Sequence, residues 1–188
     1  YPSFDERSAN IYNALFYSRN VNEDHQDFID AVFKTQVPMP AGAQQETFID
    51  VMTGTLDKEC SLSLMQGVHT ELMERISVHK ESRDPEPLSI SPEDMAEILE
   101  NHGVSAEQAE AFEEKCREEF GEDAELSPAN IIDSRHFKLE TPEVKISVDP
   151  QHVHLVETRV IDGRRYILIP ADGGVEVNGI SVNIQDKK

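Results

Sequence analysis

The run VHLVETRVIDGRRYILIPADGGVEVNGISVNI, residues 153–184, decides the C-terminal fold of this chain. Its strand-forming segments are separated by three turn-forming groups, which are Asp162-Gly163, Asp172-Gly173-Gly174 and Asn178-Gly179. Asp-Gly and Asn-Gly are the pairs that two-residue hairpin turns favour, because both turn residues need a positive φ angle. We therefore predict an antiparallel β-meander, in which Arg159 lies opposite Tyr166 within reach of a cation–π contact.

The chain before residue 130 is predicted to be mostly helical, because its apolar residues recur at helical spacing. We predict helices over about 3–19, 25–34, 44–56 and 61–80, with Ser61 as the cap of the fourth. The first would begin at Ser3, where Ser3-Phe4-Asp5-Glu6 has the form of a capping box. The polar stretch SRDPEP, residues 82–87, carries two prolines and predicts a linker.

Two matching helix-start signals follow this linker. Ser91 and Ser105 each precede an acid or amide at the third helical position, as an N-cap residue does. Gly103 and Gly121 stand where the two helices should end. The pattern predicts an αα-hairpin over about 92–120. Its second helix carries mostly acidic residues on its outer face, which argues against a DNA-reading helix-turn-helix.

These elements predict an α+β protein with an N-terminal helical layer, an acidic αα-hairpin and a C-terminal antiparallel β-meander. We predict a helical region over 1–83 and a linker over 84–90. The helical hairpin and the meander occupy 91–188, and we expect them to pack as one unit with 1–83. Whether the sheet is completed by another chain stays open, because an exposed edge strand can recruit one.

The charge of the chain limits its partners. Seventeen basic residues stand against 37 acidic ones, giving a formal net charge of −20 at pH 7. A field of that sign repels a phosphate backbone, so we predict no direct nucleic-acid binding by this chain. No apolar run approaches the roughly 20 residues that span a bilayer, and no secretory signal is visible. With Cys60 and Cys116 expected to be reduced thiols, we predict a cytoplasmic protein without membrane contact.

One histidine pair is a candidate metal site. His152 and His154 form an H-x-H pair, which on an extended backbone would place both rings on one face. Zinc would need a third and a fourth ligand, and nothing in the sequence fixes the position of one. Two surface histidines beside a turn are the favoured alternative. We predict no catalytic residue, no cofactor-binding residue and no cofactor.

The Arg164-Arg165 pair is the only basic cluster of the predicted sheet. Together with Arg159 and Tyr166 it is a candidate interaction site. It could bind an acidic partner or the acidic helical hairpin of the same chain, and the contact within the chain is the favoured alternative.

Three segments resemble the bacterial family DUF4317, a domain of unknown function. They are YPSFDERSANIYNALFYS (1–18), HKESRDPEPL (79–88) and LVETRVIDGRRYILIPADGGVEVNGISV (155–182). The resemblance covers nearly the whole chain and corresponds to the C-terminal half of longer members. Because the family has no established activity, it implies no catalytic residue. Residues 130–148, NIIDSRHFKLETPEVKISV, are also similar to the C-terminal region of the bacterial nucleoid-associated protein family.

The leading hypothesis is a non-enzymatic protein-interaction or structural module within a longer protein, with a protein partner or with self-association. One alternative is a nucleoid-associated type of protein whose DNA contacts lie in an N-terminal half absent from this sequence. The other is a metal-dependent enzyme that uses His152 and His154. The lack of a convergent polar motif favours a protein that is not an enzyme.

Overall fold

The computed structural model describes residues 2–5, 8–14, 25–32 and 39–184, in two compact units that divide between Ser134 and Arg135. Helices dominate the first unit, and antiparallel strand pairs make up most of the second. The predicted α+β class is therefore confirmed. The stretch predicted as a linker, 84–90, lies inside the first unit, because helices before and after it share one core.

The chain opens with a β-hairpin of strand β1 (Pro2–Asp5) and strand β2 (Ser8–Ala14). The helix predicted over 3–19 is therefore wrong within 3–5 and 8–14, and the rest of that prediction falls outside the described residues. Three of the seven residues of β2 are serine or asparagine, which compete with helical hydrogen bonding. Ile11 and Tyr12 favour strands, so local propensity outweighed the apparent helical spacing.

Six α-helices follow within the described residues. They are α1 (Gln26–Val32), α2 (Ala41–Leu56), α3 (Leu62–Ser82), α4 (Pro92–Asn101), α5 (Ala106–Phe120) and α6 (Pro128–Ile131). Ser61 caps α3 as predicted, since its hydroxyl accepts a hydrogen bond from the Leu64 N–H at 3.1 Å. None of the helices in the described ranges is long and apolar enough to cross a lipid bilayer.

Helices α2 to α6 of the first unit close around one hydrophobic core. Phe48 of α2 and Phe112 of α5 meet edge to face at its centre, with ring centroids 6.0 Å apart. Leu72 of α3 and Met95 of α4 are fully buried in the same core. The apolar stripes predicted from helical spacing after residue 44 are thus the faces that these helices bury.

Both ends of α4 are formed by the local motifs that the sequence predicts. The Ser91 hydroxyl accepts the Asp94 N–H at 3.0 Å, while the Asp94 carboxylate accepts the Ser91 N–H at 3.4 Å. This reciprocal pair is a capping box. At the other end Gly103 has a φ of 96°, and the Val104 N–H reaches back to the Leu99 carbonyl at 3.1 Å. That bond closes a Schellman motif, in which only glycine adopts the positive φ without strain.

The start of α5 depends on a residue from another part of the chain. Ser105 is the N-cap residue as predicted, but its side chain makes no capping hydrogen bond. Glu59, in a short 3₁₀ turn after α2, accepts the Ser105 backbone N–H at 2.9 Å. A carboxylate at a helix N-terminus also interacts favourably with the helix dipole. This contact ties the start of α5 to the end of α2.

Helices α3 and α4 approach each other closely at Gly67. The His102 ring occupies the space that a side chain at Gly67 would need. On its other side the ring Nε2 lies 3.2 Å from Glu71 Oε2, and Glu71 Oε1 accepts a hydrogen bond from Arg75 at 3.0 Å. The ring is therefore held between a glycine and a carboxylate that is itself anchored on α3.

We expect Gly67→Ala to lower the free energy of unfolding by about 1–3 kcal/mol, because the added methyl group overpacks against the His102 ring. In a His102→Ala background the same substitution should no longer destabilise the protein and should instead have the effect expected of Gly54→Ala, since the ring is gone and helix propensity remains. Gly54→Ala is the matched control, because a side chain at this α2 position meets no atom within 4 Å. It should stabilise the protein by roughly 0.5–1 kcal/mol through helix propensity. Urea unfolding followed by circular dichroism measures each change; equal effects at Gly67 and Gly54 would contradict the proposed packing.

Three β-hairpins supply the strands of the second unit. They are β3 (Phe137–Glu140) with β4 (Lys145–Val148), β5 (Glu157–Ile161) with β6 (Arg164–Leu168), and β7 (Val175–Val177) with β8 (Ile180–Val182). The antiparallel pairing is confirmed, but the described strands form separate two-stranded sheets instead of one continuous meander. Pro170, which has no N–H donor, and a turn closed by the Gly174 N–H to the Ala171 carbonyl separate β6 from β7.

The β5–β6 turn has the predicted conformation. Asp162 and Gly163 have φ angles of 51° and 77°, as a two-residue hairpin turn of the favoured hand requires. The register follows from this turn and places Arg159 opposite Tyr166, as predicted. Asn178-Gly179 repeats the same geometry between β7 and β8.

Candidate functional site

The β5–β6 hairpin carries all four residues that the sequence predicts as partner contacts. Arg159 and Tyr166 are directly opposite each other and so share a face of the hairpin. Arg164 lies two residues before Tyr166 on β6 and belongs to the same face, whereas Arg165 belongs to the other. All four side chains are exposed. The structure thus brings three of the four candidates together.

Arg159 has a partner that sequence reasoning missed. Its guanidinium Nη2 donates to Glu157 Oε2 at 2.9 Å, and its Nε lies 3.3 Å from the same oxygen. The two side chains remain 64% and 55% exposed, so the ion pair lies in solvent. The sequence could have predicted this pair, because residues two apart on a strand lie on the same face.

Large apolar side chains of the second unit lie in solvent. Val160 is 70% exposed, Ile180 68% and Ile184 71%. Among the described residues of this unit, the buried apolar side chains are those of Phe137, Val153 and Val156. Each two-stranded sheet therefore has little core of its own. Contiguous exposed apolar patches mark binding surfaces, whereas single exposed apolar side chains are common on folded proteins.

The histidine pair does not have the geometry predicted for it. His152 and His154 lie in a 3₁₀ segment, Pro150–Leu155, and not on an extended backbone. Asp149 turns the chain there by accepting the Gln151 N–H at 2.9 Å. The two rings are exposed, with centroids 6.3 Å apart, and His152 Nδ1 is 3.8 Å from Asp149 Oδ1. Within the described ranges, no group of three or more His, Cys, Asp or Glu side chains could hold a metal ion.

A shallow cleft of about 230 Å³ lies between α2 and α5. Its charged lining residues are Asp50, Lys115 and Glu119. The Lys115 ammonium donates to Glu118 at 2.8 Å and contacts Glu119 at 3.1 Å. These hydrogen bonds raise the pKa of Lys115 above its ordinary value, so the lysine stays a cation paired with its own helix. The cleft is smaller than the roughly 300–1,000 Å³ typical of small-molecule sites.

The two cysteines occupy contrasting environments. Cys60 is exposed, whereas Cys116 lies on the buried face of α5 in the core. Burial raises the pKa of the Cys116 thiol from 9.0 to about 12, and the nearby Glu113 carboxylate adds to the shift. The thiolate is the nucleophilic form, so Cys116 is a protonated core residue at neutral pH.

We expect one fast-reacting thiol in the native protein, because only Cys60 of the two cysteines is accessible. Reaction with a disulfide reagent at pH 8 should modify Cys60 quickly and Cys116 only after unfolding in denaturant. Cys60→Ser should abolish the fast phase and leave the thiol titre under denaturing conditions at one. Fast labelling of two thiols in folded wild-type protein would contradict the buried position of Cys116.

Comparison with known proteins identifies a family whose function is not known. No curated protein matches the chain, and no solved structure matches it either. The likeness of residues 130–148 to nucleoid-associated proteins therefore gains no support from them. One family model, described as a domain of unknown function (DUF4317), matches residues 1–180. Because that match spans nearly the whole sequence, the chain belongs to the DUF4317 family.

Proposed function

We propose that this protein is a non-enzymatic protein-interaction module whose second unit provides the binding surface. The observation that carries the proposal is the set of large apolar side chains that the hairpins of this unit expose. Two-stranded hairpins are marginally stable alone in water and gain stability when another strand or surface covers them. A partner that covers these side chains would supply the apolar burial that the hairpins lack.

The roles of several reactive side chains in the first unit support a protein that does not catalyse a reaction. Glu59 holds the start of α5, and Glu71 binds both Arg75 and His102. Cys116 is a protonated core residue. These side chains stabilise contacts between helices, and a catalytic group would instead face a site where substrate can bind.

The acidic charge directs the choice of partner. With a net charge of −20, the chain would repel nucleic acid unless a basic segment accompanied it. We therefore propose a protein partner or a second copy of the chain, and no direct nucleic-acid contact by residues 1–188. The two free cysteines suit a reducing compartment, and we propose the cytoplasm.

Val160→Lys/Ile180→Lys should reduce partner capture by the tagged protein at least about tenfold, because it places two charges in the apolar surface. Glu110→Gln/Glu114→Gln is the matched control, since it changes the net charge equally on the exposed face of α5. Quantitative mass spectrometry of the captured proteins, including untagged copies of the chain, measures the effect. Thermal unfolding checks that both variants fold.

The proposal predicts that wild type and the α5 control capture the same partners and that the hairpin variant loses them. Two results would contradict it. One is equal capture by the hairpin variant and the wild type. The other is a wild-type protein that captures no more than the tag alone, with no untagged copies of itself.

A further inference from the structure

We propose that strand β5 pairs with β5 of a second copy of this chain, antiparallel about Thr158, so that Glu157 of each copy faces Arg159 of the other. The inference rests on the proposed function and names the partner as the chain itself. It is carried by the open edge of β5 and by the spacing of its two charges.

The turn determines which edge of β5 is open. Ile161 and Arg164 flank the two-residue turn, so they form a hydrogen-bonded pair across it. Hydrogen-bonded and non-hydrogen-bonded pairs alternate along an antiparallel ladder. Thr158 and Val160 therefore direct their N–H and C=O groups away from β6. In the part of the chain that the structure describes, β6 is the strand paired with β5, and this outer edge carries no further strand.

The charges of β5 select one register for self-pairing. Pairing about Thr158 places Glu157 of one copy opposite Arg159 of the other, twice per dimer, and opposite charges across strands are stabilising. Pairing about Arg159 would set two arginines opposite each other, and pairing about Glu157 would set two glutamates opposite each other. Like charges in these positions are destabilising, so the neighbouring registers are disfavoured.

The side chains of β5 are available for this contact. All five residues of the strand are exposed, and Val160 is 70% exposed. The Arg159 guanidinium already binds a glutamate of its own strand in solvent, so exchanging it for Glu157 of the second copy costs little. The product is a four-stranded sheet, β6-β5-β5-β6, which exceeds the size at which an isolated sheet is only marginally stable.

A second copy fits this edge better than an unrelated strand. A glutamate and an arginine on either side of a central threonine are complementary to themselves under a twofold rotation, as an isologous interface requires. Any other partner would need the same two charges at the same spacing. The small area of an edge contact implies weak, reversible association.

Sedimentation velocity of the full chain at increasing concentration tests the inference through a charge exchange. Wild type should form a reversible dimer. Arg159→Glu and Glu157→Arg should each weaken the dimer at least about tenfold, because each places like charges opposite one another. An equimolar mixture of the two variants should dimerise again, and so should the double variant Glu157→Arg/Arg159→Glu. Circular dichroism confirms that each variant is folded.

Recovery of the dimer in the mixture locates the contact at β5, because no other surface is restored by combining these two substitutions. Recovery in the double variant identifies the register about Thr158, since pairing about Glu157 or Arg159 would still set like charges opposite each other. Two results would overturn the inference: single variants that dimerise as strongly as the wild type, or a mixture that stays monomeric. A wild-type protein that is monomeric at every concentration would overturn it as well. If that monomer still loses captured partners in the Val160→Lys/Ile180→Lys variant, the interaction module stands and only the identity of its partner is wrong.

Discussion

The packing of α5 against α2 and α4 around Phe112 is the interaction on which the first unit depends. Phe112 is fully buried, and the core around it draws residues from helices on both sides of the proline-containing stretch 84–90. Burial of one such side chain is worth roughly 1.5–3 kcal/mol. Because this core joins distant segments, it also positions the contacts between helices, including His102 on Gly67 and Glu59 at the start of α5.

The second unit is stabilised by local turns and strand pairing more than by a hydrophobic core. Its strands are specified by turns with positive φ and by short-range pairing, and they bury few apolar side chains. Local turn chemistry sets a register without covering the faces or the edges of the sheet it creates. Turns that specify these hairpins can be recognised in the sequence, but they leave the faces and edges of the hairpins exposed. This contrast between a closed helical core and open hairpins is why we propose the second unit as the binding surface.

Some of the acidic residues form ion pairs, and others are unpaired on the surface. On α5, Lys115 and Arg117 are paired with glutamates of the same helix, so the basic residues of this face are neutralised locally. The unpaired carboxylates keep the surface strongly negative, which favours solubility and opposes contact with phosphate backbones. The β5–β6 hairpin carries three arginines against two acids, so its own net charge is positive and it does not repel another acidic chain.

Sequence alone determined the features that depend on neighbours within a few residues. The caps at Ser61 and Ser91, the stop at Gly103 and the Asp162-Gly163 register all follow from local hydrogen bonds and allowed φ angles. Local patterns gave a wrong prediction at the N-terminal hairpin, where the apolar residues suggested a helix but the segment is a strand. They also gave a wrong backbone conformation near His152, which was assumed to be extended. Only tertiary structure decided the contacts between His102 and Glu71 and between Ser105 and Glu59, 31 and 46 residues apart. Such pairs form because core packing brings two helices together. The positions of these residues in the sequence do not predict that they are close in space.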